Sequence, residues 1–106
     1  RGFEKLVDLQ SKLLERAAAL VRPGGLLMYC TCSLEPEEGE HQVSRFLAAH
    51  PEFARVPITA PEIGGLADAI TPDGDLRTLP SHRFPGDEAG SGFDGFYAAR
   101  LRRQNI

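Results

Sequence analysis

Apolar residues recur at intervals of three and four along the first part of the chain. They are Leu6, Leu9, Leu13, Ala17 and Leu20. Such spacing is typical of an amphipathic helix with one buried face. A Pro-Gly-Gly turn at residues 23–25 ends the pattern, because glycine there can adopt the left-handed conformation of a helix C-cap. The pattern therefore predicts a helix over Phe3–Arg22.

A short and nearly continuous apolar run follows this turn. Residues Leu26–Thr31 read L-L-M-Y-C-T, without the alternation of a half-buried strand. A run of this length predicts a strand that is covered on both faces. With a helix on either side, the strand is half of a βαβ repeat, which predicts a parallel sheet.

A second helical pattern begins near Pro36 and ends at Pro51. Proline suits the first helical turn, where its missing N–H would be unpaired in any case. The predicted buried stripe consists of Val43, Phe46 and Leu47. Four carboxylates near the start favour the positive end of the helix dipole, and we expect them on a solvated face rather than around a metal ion. They are Glu35, Glu37, Glu38 and Glu40.

The remaining residues predict two strands and a long loop. Phe53–Ile58 is a candidate edge strand, because the proline within it cannot donate a ladder hydrogen bond. Residues 59–92 are dense in Pro, Gly, Asp and Ser, and predict a loop with a helical turn near Ile63–Ala69. A turn at Asp94-Gly95 opens a predicted final strand over Gly95–Leu101.

Length and charge limit the classes of function. With 106 residues and a net charge of −3, the chain is at most one small domain and lacks the basic surface of an independent nucleic-acid binder. The basic cluster Arg100, Arg102 and Arg103 predicts a solvated terminal tail.

No apolar run could span a bilayer, and two cysteines without an export signal predict a reducing, cytoplasmic setting. A start at Arg1 rather than methionine predicts a piece of a longer protein.

The two cysteines stand at the end of the predicted strand. In an open α/β sheet, ligands bind at this carboxyl edge. Cys32 lies just before the helix that Pro36 begins, where free N–H groups can favour a thiolate. Cys30 lies deeper in the apolar run, and we expect it to pack in the core. The residues alone leave Cys32 either as a catalytic nucleophile or as a buried structural thiol.

The Cys-x-Cys pair by itself does not predict a metal centre. A closed zinc site needs four ligands. The three histidines, His41, His50 and His82, show no ligand spacing relative to the pair. We therefore expect no metal.

The segment around the cysteines resembles a known family signature. The run P-G-G-L-L-M-Y-C-T-C-S-L-E-P-E-E is similar to that of the Sun (Fmu) family of RNA cytosine-5 methyltransferases. In that family a strand ends in Thr-Cys-Ser and a Pro-Glu-Glu-Asn-Glu-like helix start follows. Leu79-Pro80 and the run D-G-F-Y-A-A-R-L at residues 94–101 resemble its closing segment, so the resemblance spans nearly the whole chain. Two positions depart from the family pattern: Gly39 replaces an asparagine and Tyr97 replaces the commoner phenylalanine.

The resemblance implies a catalytic role for one thiol. Cys32 would be the nucleophile that attacks carbon 6 of a cytosine in rRNA or tRNA, and Thr31 and Ser33 would support it by shaping the turn. S-adenosylmethionine would supply the methyl group. It would be bound by a missing N-terminal part, because the family's glycine-rich loop, its ribose-binding acidic residue and its Pro-Cys segment all precede the matched region. Residues 1–106 would then be the C-terminal fragment of a catalytic domain, inactive alone.

The resemblance also implies the fold. It predicts an α/β structure, the C-terminal part of a Rossmann-like S-adenosylmethionine-dependent methyltransferase sheet whose last strand is antiparallel. Gly95–Leu101 should therefore lie between the two preceding strands and pair with Leu26–Thr31. An exposed sheet edge would permit self-association.

Two other functions remain open at the level of sequence. One is a small non-catalytic α/β protein-interaction module with Cys32 as a core thiol. The other is a thiol redox or acyl-transfer protein that uses Cys30 and Cys32, which would need a nearby base.

Overall fold

Helices and short strands alternate in the computed structural model, which describes residues 2–83 and 95–105. The helices are α1 (Gly2–Ala19) and α2 (Glu40–Ala49), and the strands are β1 (Leu26–Thr31), β2 (Phe53–Arg55), β3 (Leu76–Thr78) and β4 (Phe96–Arg103). Three 3-10 turns cover Pro36–Glu38, Ala60–Ile63 and Ala67–Ala69. Among the described residues, no helix is both long and apolar enough to cross a membrane.

Strand β4 is the centre of the sheet. It lies between β1 and β2 and is antiparallel to both. Strands β2 and β3 pair with the same edge of β4. Strand β3 pairs with the first residues of β4, and β2 pairs with its last residues. In the β1–β4 ladder, Leu27 faces Leu101 and Thr31 faces Tyr97. The predicted position of the last strand, antiparallel and paired with Leu26–Thr31, is confirmed.

Both helices pack on one face of the sheet. Alternate residues of the strands project toward them, because successive side chains of a strand point to opposite faces. The core there consists of Leu14, Ala18, Leu27, Tyr29, Val43, Phe46, Phe53, Tyr97, Ala99 and Leu101. Val43 and Phe46 confirm the predicted stripe of the second helix, with Leu47 partly buried beside them.

Strand β1 is covered on one face only within the described residues. Leu27 and Tyr29 are buried, whereas Leu26 and Met28 are about half exposed, at 50% and 51%. The expectation of a strand covered on both faces is therefore wrong for these residues. Helix α1 likewise exposes large apolar side chains, among them Leu9 and Leu13. The apolar residues of β1 are continuous in sequence, but only alternate ones are buried in the described part of the chain.

The helix boundaries differ from the sequence prediction. Helix α1 ends at Ala19 rather than at residue 22. Helix α2 begins at Glu40, because Gly39 has a non-helical backbone (φ −121°, ψ −96°) that separates it from the preceding 3-10 turn. In that turn Glu38 is buried rather than solvated, and its carboxylate accepts a hydrogen bond from Gln10 Nε2 at 3.1 Å.

The predicted long loop contains regular structure. Strand β3 lies inside residues 59–92, where composition predicted no strand, so that part of the prediction is wrong. Two 3-10 turns replace the single helical turn expected near Ile63–Ala69. The preceding strand β2 ends at Arg55 rather than at Ile58. The rest of the predicted loop from residue 84, together with Asp94, lies outside the described residues.

The basic cluster near the end of the chain is not a solvated tail. Arg100, Arg102 and Arg103 belong to β4. Arg100 forms a two-pronged ion pair with Glu62 at 2.9 and 3.0 Å. Arg102 donates to the Gly24 carbonyl, and Arg103 donates to a carbonyl near the end of α1. The prediction failed because strand pairing places these residues against other segments.

His50 connects α1 to the end of α2. Its Nε2 lies 2.8 Å from the Glu15 carboxylate, and its Nδ1 lies 3.3 Å from that of Glu52. The hydrogen bond with Glu15 raises the pKa of His50, although partial burial acts in the opposite direction. A raised pKa in the folded state means that folding stabilises the protonated ring.

The free energy of unfolding should therefore depend on the charge of His50. Its contribution is complete below the unfolded pKa of about 6.5 and is lost as the pH rises through the higher folded value. We expect the urea midpoint to fall over that range, and the fall to be smaller in His50→Gln. His41→Gln removes an exposed histidine and should retain the fall. Equal pH dependence in wild type and His50→Gln would contradict this assignment.

Candidate active site at the end of strand β1

Cys32 is the first residue beyond β1 and is exposed. Cys30 lies inside the strand opposite Ala98 and is exposed as well. Within the described residues its expected place in the core is wrong, because Leu27 and Tyr29 occupy the inward positions of the alternating strand. Cys32 is likewise outside the core of the described residues, because its side chain reaches solvent.

The environment of the Cys30 thiol does not favour a nucleophilic role. Partial burial raises the pKa of the Cys30 thiol above its ordinary value. Since the thiolate is the nucleophilic form, a raised pKa makes Cys30 less reactive at neutral pH. This argues against Cys30 as the catalytic thiol.

Two hydroxyl side chains shape the turn that contains Cys32. The Ser33 N–H donates to Thr31 Oγ1 at 3.1 Å, and the Glu35 N–H donates to Ser33 Oγ at 3.0 Å. Such side-chain hydrogen bonds replace ladder bonds where a strand ends. They direct the backbone away from the sheet on both sides of Cys32.

Arg77 of β3 contacts this turn, although no sequence pattern indicated it as a site residue. Its Nη1 donates to the Ser33 carbonyl at 2.7 Å. The guanidinium also forms a two-pronged pair with Glu40, with Nη2–Oε1 at 2.8 Å and Nε–Oε2 at 3.2 Å. Partial burial is the largest single effect and raises the pKa of Glu40, but the hydrogen bond from Arg77, a backbone hydrogen bond and the Arg77 charge together outweigh it, and the net pKa is lowered. The ion pair is therefore charged on both sides at neutral pH.

Tyr97 links Arg77 to a buried carboxylate. The guanidinium carbon of Arg77 lies 5.1 Å from the centroid of the Tyr97 ring. The Tyr97 hydroxyl donates to Asp75 in a short hydrogen bond, and Arg55 Nε donates to the same carboxylate at 2.9 Å. Burial and the Asp75 charge raise the pKa of Tyr97, so the hydroxyl remains a donor. The tyrosine at this position thus has a partner that phenylalanine could not bind.

Gly39 leaves space for this arrangement. A Cβ atom at residue 39 would lie 2.9 Å from Arg77 Nη2 and 3.1 Å from the Tyr97 ring. Both distances are shorter than ordinary van der Waals contact. The absence of a side chain at residue 39 therefore allows Arg77 to lie over Tyr97. Gly95 is similar, because a Cβ there would collide with Leu34 in the turn after Cys32.

Comparison with protein families decides the assignment. Residues 1–102 match the family described as 16S rRNA methyltransferase RsmB/F. The chain belongs to this family. The match confirms the resemblance to the Sun (Fmu) signature.

Known RsmB/F relatives are much longer than this chain. It is 39% identical over 104 residues to ribosomal RNA small subunit methyltransferase B of Thermus thermophilus, covering 95% of this chain and 22% of the relative. It is 37% identical over 98 residues to a probable ribosomal RNA small subunit methyltransferase B of Synechocystis, covering 92% and 20%. The chain thus spans about one fifth of the length of these curated relatives.

Solved structures share the fold. A methyltransferase homolog protein from Pyrococcus horikoshii has 27% identity and a TM-score of 0.62, over 94% of this chain and 32% of its own. NSun6 from Pyrococcus horikoshii, solved with SFG, has 25% identity and a TM-score of 0.59, over 94% and 23%. With β4 antiparallel at the centre, this likeness confirms the predicted Rossmann-like methyltransferase fold.

The Gly24-Gly25 turn does not have the features of a glycine-rich cofactor loop. The Gly24-Gly25 turn follows a helix, and both of its N–H groups are occupied, by the Arg103 and Arg22 carbonyls at 2.6 and 2.9 Å. It therefore has no free donors for an anionic or polar ligand. No group of three or more metal-binding side chains gathers in the part of the chain that the structure describes.

Proposed function

We propose that this chain is the C-terminal part of the catalytic domain of an RNA cytosine-5 methyltransferase, with Cys32 as its nucleophile. The observation that supports this proposal is the exposed Cys32 thiol at the carboxyl end of β1, in a chain that belongs to the RsmB/F family. Thr31 and Ser33 have supporting roles, because their hydroxyl groups hold the turn on either side of the thiol. The proposed substrate class is rRNA or tRNA, and the proposed location is the cytoplasm.

The Cys32 thiolate adds to carbon 6 of the target cytosine. A carbon–sulfur bond forms and the electrons of the 5,6 double bond make carbon 5 nucleophilic. When bound at a site outside this chain, S-adenosylmethionine would supply the methyl group for carbon 5, and its thioether product would be the leaving group. A base then removes the carbon 5 proton, the double bond forms again, and the Cys32 sulfur leaves. Covalent addition divides one difficult substitution into easier steps.

The target base must leave its stack before Cys32 can reach it. Enzymes that act on a base in this way use single strands or flip the nucleotide out. Because Cys32 is exposed at the end of the sheet, such a base could approach it. The arginines Arg55, Arg77 and Arg100 form ion pairs within the chain, and the chain as a whole carries a net charge of −3. We therefore place most of the RNA-binding surface in the rest of the protein.

The 106-residue chain should be inactive by itself. The cofactor site is proposed to lie in the preceding part of the protein, which would also cover the open face of β1. Without it, Met28 and Leu13 border an open apolar groove between β1 and α1. Exposed apolar surface beside an unpaired strand edge favours self-association, which we expect for the isolated chain at high concentration.

Covalent trapping tests the proposed role of Cys32. In RNA that contains 5-fluorocytosine, fluorine replaces the proton that must leave carbon 5, so the adduct with the nucleophile accumulates. We expect the full-length protein with S-adenosylmethionine to give an adduct that survives denaturing electrophoresis. Cys32→Ala should abolish it and Cys30→Ala should retain it. An adduct that persists in Cys32→Ala would place the nucleophile elsewhere.

A further inference from the structure

Arg77 reaches across the sheet to the turn that contains Cys32. In the ladders, Thr31 of β1 and Arg77 of β3 both pair with Tyr97 of β4, one on each edge. Directly paired residues of antiparallel strands project from the same face of a sheet. The Arg77 side chain therefore passes over the Tyr97 ring and ends at the Ser33 carbonyl, one residue after Cys32.

The turn after β1 has little other long-range support. The ladder between β1 and β4 ends at Thr31. The hydrogen bonds of the Thr31 and Ser33 side chains join residues two positions apart, so they set the local shape of the turn without fixing it to the sheet. Among the described residues, the Arg77–Ser33 bond is the one hydrogen bond that joins residues 32–35 to a distant segment, 44 positions along the chain, and Leu34 also packs against Gly95.

Arg77 is itself held in one conformation. Its side chain is 11% exposed, and all three of its nitrogens donate hydrogen bonds, to Glu40 or to Ser33. A planar guanidinium that makes several bonds in a fixed geometry loses little freedom for each bond formed. Its charge is balanced by Glu40, so its effect on the turn is geometric rather than that of a free cation.

We propose that Arg77 is a positioning residue for the Cys32 nucleophile. It holds the Ser33 carbonyl against the sheet and so determines where the Cys32 sulfur lies relative to the target carbon. This inference rests on the proposed function of Cys32. A displacement of about 1 Å in a reacting group can lower the rate about 100-fold, whereas the binding of RNA elsewhere is unaffected. The expected signature is a lower kcat with an unchanged KM.

Two substitutions in the full-length protein separate geometry from charge. Arg77→Met removes every side-chain hydrogen bond of residue 77. Arg77→Lys keeps the charge but cannot form hydrogen bonds to Ser33 and Glu40 in the same planar geometry. We expect kcat to fall about 100-fold in Arg77→Met and about 10-fold in Arg77→Lys, with KM within about twofold of wild type. The matched control is Arg103→Met, since Arg103 also donates to a carbonyl but beyond the opposite end of β1. Its kcat should not change.

A second readout depends on the thiols rather than on turnover. The alkylation rates of Cys32 and Cys30 by iodoacetamide can be measured by peptide mass spectrometry in the folded 106-residue chain, where both thiols are exposed. We expect the ratio of the two rates to change in Arg77→Lys and Arg77→Met and to stay constant in Arg103→Met. Cys30 is the internal control, because it lies within the β1–β4 ladder. A change in overall stability alone would not alter this ratio in the folded protein.

The outcomes distinguish this inference from the proposed function. If Cys32→Ala still forms the 5-fluorocytosine adduct, the nucleophile assignment fails. If Cys32→Ala loses the adduct but both Arg77 variants retain wild-type kcat and alkylation ratio, the nucleophile stands and the role of Arg77 is overturned. A rise in KM with unchanged kcat in Arg77→Lys would also overturn it, because it would indicate an RNA contact instead of positioning.

Discussion

Cys32→Ser in the full-length protein is expected to lower the methylation rate at least about 10⁴-fold. Serine is nearly the same size and keeps a hydrogen-bonding group, but its hydroxyl is a weak nucleophile at neutral pH without an activating base. Removal of a nucleophile in other enzymes costs this much or more, which corresponds to about 5.5 kcal/mol or more of the activation barrier. The measurement is single-turnover transfer of labelled methyl groups to RNA.

Cys30→Ser is the matched control for this prediction. Cys30 is the same residue type, two positions earlier and also exposed, but its partial burial raises the thiol pKa. We expect its activity to remain within about threefold of wild type, because Cys30 has no part in the proposed chemistry and serine is nearly the same size as cysteine. RNA affinity should be unchanged in both variants. Loss of activity in Cys30→Ser with full activity in Cys32→Ser would reverse the assignment.

Asp75→Ala is expected to cause the largest loss of stability among single substitutions near the site. Asp75 is 1% exposed and accepts hydrogen bonds from Arg55 and from the Tyr97 hydroxyl. Its removal leaves a largely buried guanidinium and a buried hydroxyl without their partner. Breaking such a pair costs about 3–5 kcal/mol, and the lower end applies here because the Arg55 side chain keeps 20% exposure to water.

Urea unfolding, followed by far-ultraviolet circular dichroism, measures this loss in the 106-residue chain. The matched control is Asp73→Ala, which removes an exposed carboxylate from the same segment and should change the free energy of unfolding by about 0.5 kcal/mol at most. Tyr97→Phe removes only the hydroxyl and should cost about 1–3 kcal/mol. Equal stability of Asp75→Ala and Asp73→Ala would show that the buried carboxylate is not a net stabilising partner.

Local sequence patterns predicted the elements whose signals lie within a few residues. The apolar run over Leu26–Thr31 gave the bounds of β1, because a turn precedes it and a polar segment follows. The Pro36 signal placed a helical start only approximately, since Gly39 interrupts the backbone and α2 begins at Glu40. Strand β3 was missed because its three residues, Leu76–Thr78, carry too short a pattern and acquire partners only from β4.

The sequence by itself determined that a thiol stands at the end of a strand, between two hydroxyl residues, in a pattern that resembles the Sun (Fmu) family. The tertiary structure decided which groups surround that thiol. It placed Cys30 on the open face and brought Arg77 to the Ser33 carbonyl across 44 residues. These contacts form between segments far apart in the chain, where the periodicity of neighbouring residues carries no information. Cys32 could thus be proposed as the nucleophile from its neighbours in sequence, whereas Arg77 could be found only from its neighbours in space.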